Sequence, residues 1–207
     1  MWNDLIKRYP SLAICEFDVK GALDLIIENY RRGGKLLLCG NGGSAADCEH
    51  IVGEFMKDFL IKRPIDEGKR AEMRALSPTL SSDTLDSLQL GLPAISLPSI
   101  AAFNTAFAND RNPELVYAQG VMSLGREGDV LLAISTSGNA KNVLRAVEVA
   151  KGVGLTVIGL SGESGGAMRP LCDVCICVPE KETYKIQELH LPVYHYLCAA
   201  VEKHFFG

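Results

Sequence analysis

Short, unbroken apolar runs alternate along the chain with longer stretches in which apolar positions recur every three or four residues. The runs Leu36–Cys39, Leu92–Leu97, Asp129–Ile134, Thr156–Leu160 and Val174–Val178 read as strands buried on both faces. Between them the spacing predicts helices. Residues 2–32 are helical with a break near Tyr9-Pro10-Ser11, and a second helix runs from about Asp18 to Arg32. That helix carries Ala22, Leu23, Leu25, Ile26, Ile27 and Tyr30 at helical spacing and is stopped by Gly33-Gly34. Further helices are predicted from Ala45 to about Phe59, from Ser99 into Ala108, from Pro113 onward, from about Ala140 to Lys151, and from about Thr183 to Phe205. The second of these helices meets a polar stop at Asn109–Pro113.

Strands alternating with helices, each strand continuously apolar, predict an α/β fold with a parallel sheet covered by helices on both faces. In such a sheet ligands sit outside the carboxyl ends of the strands, where the winding reverses. Residues 1–207 are expected to form a single domain, with an N-terminal helical segment at 1–32. The charged stretch Lys62–Arg70 and the turn-rich stretch Leu76–Asp83 interrupt the alternation, so about 64–91 is read as an insertion, part loop and part short helix.

Composition narrows the partners. The formal net charge of −4 comes without a basic cluster, which argues against direct nucleic-acid binding. No apolar stretch reaches the roughly eighteen residues that a membrane span needs, and the first residues are not a basic-then-apolar leader. A cytoplasmic location is expected. The seven cysteines are odd in number and mostly embedded in apolar runs, as free thiols are in a reducing compartment. Cys172 and Cys175 have the spacing of a redox or zinc pair, but no second such pair follows, and Cys175 opens a strand.

The chemistry gathers at two turns. The strand Leu36–Cys39 runs into Gly40-Asn41-Gly42-Gly43-Ser44, whose glycines let the backbone turn sharply and leave N–H groups uncovered; Ser44 is read as the N-cap of the next helix. Free amides at the positive end of a helix dipole suit one anionic group, most simply a phosphate. No Lys-Ser/Thr pair follows, and the spacing is not G-x-G-x-x-G, so neither common nucleotide fingerprint is present. A monophosphate on a small molecule fits better than a nucleotide cofactor. The pattern repeats after Ile134 with Ser135-Thr136-Ser137-Gly138-Asn139, which adds three hydroxyls. His50 and Glu54 lie one turn apart on the helix after the first turn, with Asp47 near the same face; taken alone, that is a solvated polar face.

Cys39–Ser44, Ile134–Asn139 and Ile186-Gln187-Glu188-Leu189-His190 with His195 resemble the sugar isomerase (SIS) domain and, within it, the bacterial phosphoheptose isomerases, which act on sedoheptulose 7-phosphate. The resemblance covers most of the chain outside the insertion. It implies a five-stranded parallel sheet between helices and a homotetramer with sites between subunits. It further implies Glu54 and His195 as the catalytic pair, and substrate contacts from Asn41, Gly42, Gly43, Ser44, Asn109, Asp110 and Gln187. Ser135, Thr136 and Ser137 would bind the phosphate. Some members hold a divalent metal, most simply zinc, and the matching ligands would be His50, Glu54, Gln187 and His195.

These residue types suit the reaction. A ketose phosphate becomes an aldose phosphate when a proton moves between adjacent carbons through an enediolate, which needs a carboxylate or imidazole base and a proton donor for the oxygens. Three positions depart from the family pattern. Ala140 replaces a further serine, Asp58 replaces an arginine one turn beyond the glutamate, and Pro192 falls inside the last helix, where a kink is expected between Gln187 and His195. The rival reading is a non-catalytic SIS module that senses a sugar phosphate or binds the replication initiator protein. The retained Glu54, Gln187 and His195 favour the enzyme.

Overall fold

The computed structural model describes all 207 residues. Helix α1 (Trp2–Arg8) ends at Tyr9, and Pro10, which cannot donate a backbone hydrogen bond, opens a short 3-10 helix at Pro10–Cys15. Helix α2 (Glu16–Arg31) starts two residues before the expected Asp18 and stops against Gly33, whose φ of 76° suits glycine. Then follow β1 (Leu36–Cys39), α3 (Gly43–Met56), α4 (Glu67–Leu76), α5 (Ser82–Ser87), β2 (Ala94–Ser96), α6 (Ala101–Asp110) and α7 (Val116–Leu124). The chain ends with β3 (Val130–Ile134), α8 (Lys141–Gly152), β4 (Thr156–Ser161), β5 (Val174–Cys177) and α9 (Thr183–Phe206).

All five strands are parallel, in the order β2-β1-β3-β4-β5. Leaving β1, the chain first goes to β2 on one side and later returns to β3 on the other, so the winding reverses between β1 and β3. Alternate strand residues feed two cores. Leu36, Leu38, Leu132 and Ile158 pack beneath α2, α3 and α9, whereas Leu37, Cys39, Leu131 and Val157 pack beneath α7 and α8. The α/β architecture expected from the sequence is the one observed.

Several boundaries move. Ser44 is not the N-cap of α3. Gly42, at φ 55° and ψ −121°, takes that place, the helix begins at Gly43, and Ser44 is buried in its first turn. Helix α3 ends at Met56 rather than near Phe59, because Arg63 and Glu202 take over the hydrogen bonds there. The second strand keeps only Ala94–Ser96, since Pro98 starts a 3-10 turn at Leu97–Ser99. The expected polar stop at Asn109 comes two residues later: Asn109 and Asp110 form the last residues of α6. Pro113 opens only a 3-10 turn, and α7 begins at Val116. The insertion contains two short helices, α4 and α5, anchored by buried Ile65 and Leu85.

Pro192 does not interrupt α9, which runs unbroken from Thr183 to Phe206 with Pro192 buried in it. About one turn before its midpoint the same helix buries His190 completely. Neither ring nitrogen has a hydrogen-bond partner. Burial pushes the imidazole down to about 4, with the facing Ser161 backbone acting in the opposite sense. Between the ordinary histidine value and about 4 the unfolded chain binds a proton that the folded chain refuses, so stability falls as pH drops through this window. We expect His190→Leu to flatten the loss of thermal midpoint between pH 7 and pH 5; an unchanged slope would show that His190 is not held neutral.

Candidate active site

The two glycine- and hydroxyl-rich turns follow β1 and β3, adjacent strands at the reversal of winding. They face each other across a cavity of about 330 Å³ lined by Asn41, Gly42, Gly43, Ser135, Thr136 and Ser137, with Ser44, Thr183 and Gln187 closing it. In the first turn the Ser44 and Ala45 amides are used by the Asn41 and Gly42 carbonyls, which leaves the Gly42 and Gly43 N–H groups open. A side chain at Gly43 would collide with the Gln187 amide, so this glycine lets α9 approach the turn.

The second turn is braced from behind. Ser161 donates its hydroxyl to the Ser135 carbonyl at 2.7 Å, and the Gly162 amide donates to the Thr136 carbonyl at 3.0 Å. Asn41 and Asn142 exchange amide hydrogen bonds at 2.8 and 2.9 Å, tying the first turn to α8. Tyr117 donates to the Gly40 carbonyl. Amides, hydroxyls and a helix N-terminus thus converge on one small cavity without a carboxylate in its lining, which is the electrostatic demand of a phosphate.

Helices α3 and α9 run side by side away from this cavity. Gln187 lies beside Gly43, Tyr194 beside Asp47 and His50, and Glu202 beside Phe59. Seven residues along α3 from Gly43, a rise of ~10 Å, stands the second polar cluster. His50 Nε2 lies 3.3 Å from Glu54 Oε1 and 3.4 Å from His195 Nε2. Glu54 is mostly enclosed, and its Oε2 has no hydrogen-bond partner, with Lys57 Nζ at 3.8 Å. Phe59 packs on the His195 ring, centroids 5.6 Å apart. Burial and the neighbouring His50 hold His195 below the ordinary histidine range, while Glu54 pulls the other way.

The residues expected from the sequence therefore separate into groups. Asn41, Gly42, Gly43, Ser44, Ser135, Thr136, Ser137 and Gln187 share the cavity. Glu54 and His195 meet through His50. Asn109 and Asp110 do not join either group: they lie exposed at the end of α6, hydrogen-bonded to each other at 2.9 Å. Asp58 is engaged by Lys62 at 2.8 Å, and Ala140 stands at the N-cap of α8 with no side-chain bond. Of the four expected metal ligands, Gln187 lines the cavity between the two turns, while the other three stand together, His50 Nε2 lying 3.3 Å from Glu54 Oε1 and 3.4 Å from His195 Nε2, without forming a ready-made metal cage.

The sequence reading missed Asn142, Tyr117, Tyr194 and the buried pair Arg63 and Glu202. The Arg63 guanidinium donates to the carbonyls of Glu54 and Phe55 and to Glu202, and Glu202 also accepts from the amides of Phe59, Leu60 and Ile61. Together they fix the end of α3 that carries Glu54. The sequence offered a clue only to Glu202, an ionisable residue that follows the apolar run Ala199-Ala200-Val201 and so calls for a partner; Arg63 is hidden in the charged stretch Lys62–Arg70.

Comparison with known proteins agrees with this arrangement. A SIS domain model matches residues 107–200, and a second SIS domain model matches residues 16–90. The phosphoheptose isomerase of Helicobacter pylori is 40% identical over 214 aligned residues, covering 99% of this chain and 98% of that protein. The phosphoheptose isomerase of Aneurinibacillus thermoaerophilus is 41% identical over 180 residues, 87% of this chain and 78% of that one. Among solved structures, the phosphoheptose isomerase of Neisseria gonorrhoeae superposes with a TM-score of 0.76 at 30% identity, covering 98% of this chain and 95% of that chain. That of Francisella tularensis superposes with a TM-score of 0.71 at 27% identity, covering 98% of each. With relatives this similar along nearly its whole length, the chain belongs to the phosphoheptose isomerase family of SIS-domain proteins.

Proposed function

We propose that the protein interconverts sedoheptulose 7-phosphate and glycero-manno-heptose 7-phosphate as an aldose-ketose isomerase, the whole chain acting as one unit. The observation that carries this reading is the pairing of a phosphate cavity with a carboxylate–imidazole cluster about 10 Å further along the same two helices. That separation suits a sugar held by its phosphate at one end and reacting at the other. The Gly42 and Gly43 amides with Ser135, Thr136 and Ser137 bind the phosphate, and Asn41, Ser44 and Gln187 border the bound chain.

Glu54 takes the proton from C1 of the ketose, forming the enediolate, and returns it to C2. His195 moves a proton between the two oxygens, so that no external hydride acceptor or nucleotide is consumed. No step is assigned to zinc or another metal. Family resemblance supports a homotetramer. Helix α6 supports it too: it has no buried residue in the single chain although it carries Phe103 and Phe107, and it ends at Asn109 and Asp110, which would reach a site shared with a partner. No helix is long and apolar enough to cross a membrane, and we place the protein in the cytoplasm.

The test is conversion of sedoheptulose 7-phosphate monitored against six- and seven-carbon sugar phosphates. Loss of one phosphate hydroxyl in Ser137→Ala should raise KM by about 10- to 100-fold with kcat little changed, since a hydrogen bond to a charged group contributes about 1.5–3 kcal/mol. Binding of the sugar phosphate without any turnover would instead identify a sensing module.

A further inference from the structure

Two residues of α9 line the phosphate cavity, Thr183 and Gln187, one helical turn apart and therefore on the same face of the helix. Gln187 reaches Gly43 in the first turn, and Thr183 carries the hydroxyl of this wall. The helix itself makes no use of that hydroxyl. The N-cap is Glu182, with φ −82° and ψ 129°, so Thr183 stands one position too late to cap. It also stands too early to bond back to a helical carbonyl, as Thr105 does inside α6 toward Ala101 at 2.9 Å. Threonine is a poor helix former, and Thr183 is exposed, so neither propensity nor core packing calls for it here.

The cavity, by contrast, is short of donors on one side. No lysine or arginine lines it, so the oxygens of a phosphate must be met by amides and hydroxyls alone. On the second turn the hydroxyls stop at Ser137. The Asn139 side chain is turned back on its own surroundings, donating to the Ser137 carbonyl at 2.9 Å and accepting from the Ala167 amide at 3.0 Å. Ala140 lines the cavity with a methyl group, which has nothing to donate. This part of the lining is left without a side-chain donor, and Thr183 brings one from another helix.

We propose that the Thr183 hydroxyl is a further phosphate contact, donating to an oxygen of the sugar's phosphate group from the α9 wall of the cavity. The proposal rests on the reading of this cavity as the phosphate site. The contact is a hydrogen bond in which no proton is passed, and the phosphate is remote from the bonds that change. Thr183 therefore contributes equally to the bound ground state and to the transition state, which places its effect in binding rather than in the chemical step.

Thr183→Val keeps the branched shape and removes the hydroxyl, whereas Thr183→Ser keeps the hydroxyl and removes a methyl group. In the full-length protein, Thr183→Val should weaken equilibrium binding of sedoheptulose 7-phosphate and raise KM by about 10- to 100-fold, with kcat within about twofold. Binding of inorganic phosphate should weaken by a similar factor, which puts the lost bond on the phosphate and not on the sugar. Thr183→Ser should bind both within about threefold of the parent. A Thr183→Val protein that binds like the parent overturns the proposal, as does a Thr183→Ser protein that binds as poorly as Thr183→Val. Weakening confined to the sugar phosphate, with inorganic phosphate unaffected, overturns it too. If Ser137→Ala weakens binding and Thr183→Val does not, the phosphate cavity stands and Thr183 alone is removed from it. A parent that binds neither probe fails the reading of the cavity, and the proposal with it.

Discussion

Glu54→Gln should lower kcat for isomerisation of sedoheptulose 7-phosphate by about 10²–10⁴-fold, the contribution of a well-placed general base, with little change in KM. The substitution keeps the size and reach of the side chain but removes its capacity to take a proton. Little else depends on that carboxylate. It makes one close polar contact, to His50, and its Oε2 has no hydrogen-bond partner, so the fold has few interactions to lose. The cavity between the two turns lies about 16 Å away along α3 and should be unaffected. Substrate binding and thermal midpoint measured beside kcat separate the outcomes. A variant that folds, binds and turns over within a few-fold of the parent would remove Glu54 as the base. Glu54→Asp, which withdraws the carboxylate by one methylene, should retain an intermediate rate.

The extent to which the chain announced this site follows the range of the interactions involved. Strands β1, β3, β4 and β5 were legible because each is a continuous apolar run, and both phosphate turns were legible because glycine and hydroxyl residues cluster where those runs stop. Ser44 was misread because a serine before a helix is ordinarily a cap, whereas Gly42 adopts the positive φ needed one step earlier. Pro192 was expected to kink α9; the helix runs on through it from Thr183 to Phe206, with Val193, Tyr194 and Leu197 buried in the core on its far side. The sequence named Gln187 both among the substrate contacts and with His50, Glu54 and His195; the close approach of α9 to Gly43 brings it to the lining of the cavity between the two turns. Tyr194, Asn142 and Arg63 act through partners far along the chain, for which no local periodicity gives a signal.

Glu202→Gln should destabilise the protein by about 3–5 kcal/mol, the penalty for breaking a buried ion pair from one side. Arg63 and Glu202 are both shut away from solvent, with side chains 1% and 0% exposed and 2.8 Å between them. Without the carboxylate charge, the guanidinium of Arg63 remains enclosed and uncompensated, and the amides of Phe59, Leu60 and Ile61 lose a charged acceptor. The thermal midpoint should fall on the order of 10 °C for a chain of this size. Turnover should also fall, because Arg63 holds the Glu54 and Phe55 carbonyls and Phe59 packs on His195. Burial alone would raise the Glu202 carboxyl, but the Phe59 and Leu60 amides and Arg63 outweigh it and set it below its ordinary value. Its stabilisation is therefore complete above the ordinary glutamate range and is lost as pH falls through the lowered value. Acid titration of the thermal midpoint should show this loss in the parent and less of it in Glu202→Gln. A midpoint within 2 °C of the parent at pH 7, where a ~3 kcal/mol loss predicts several degrees, would show that the pair does not hold the end of α3.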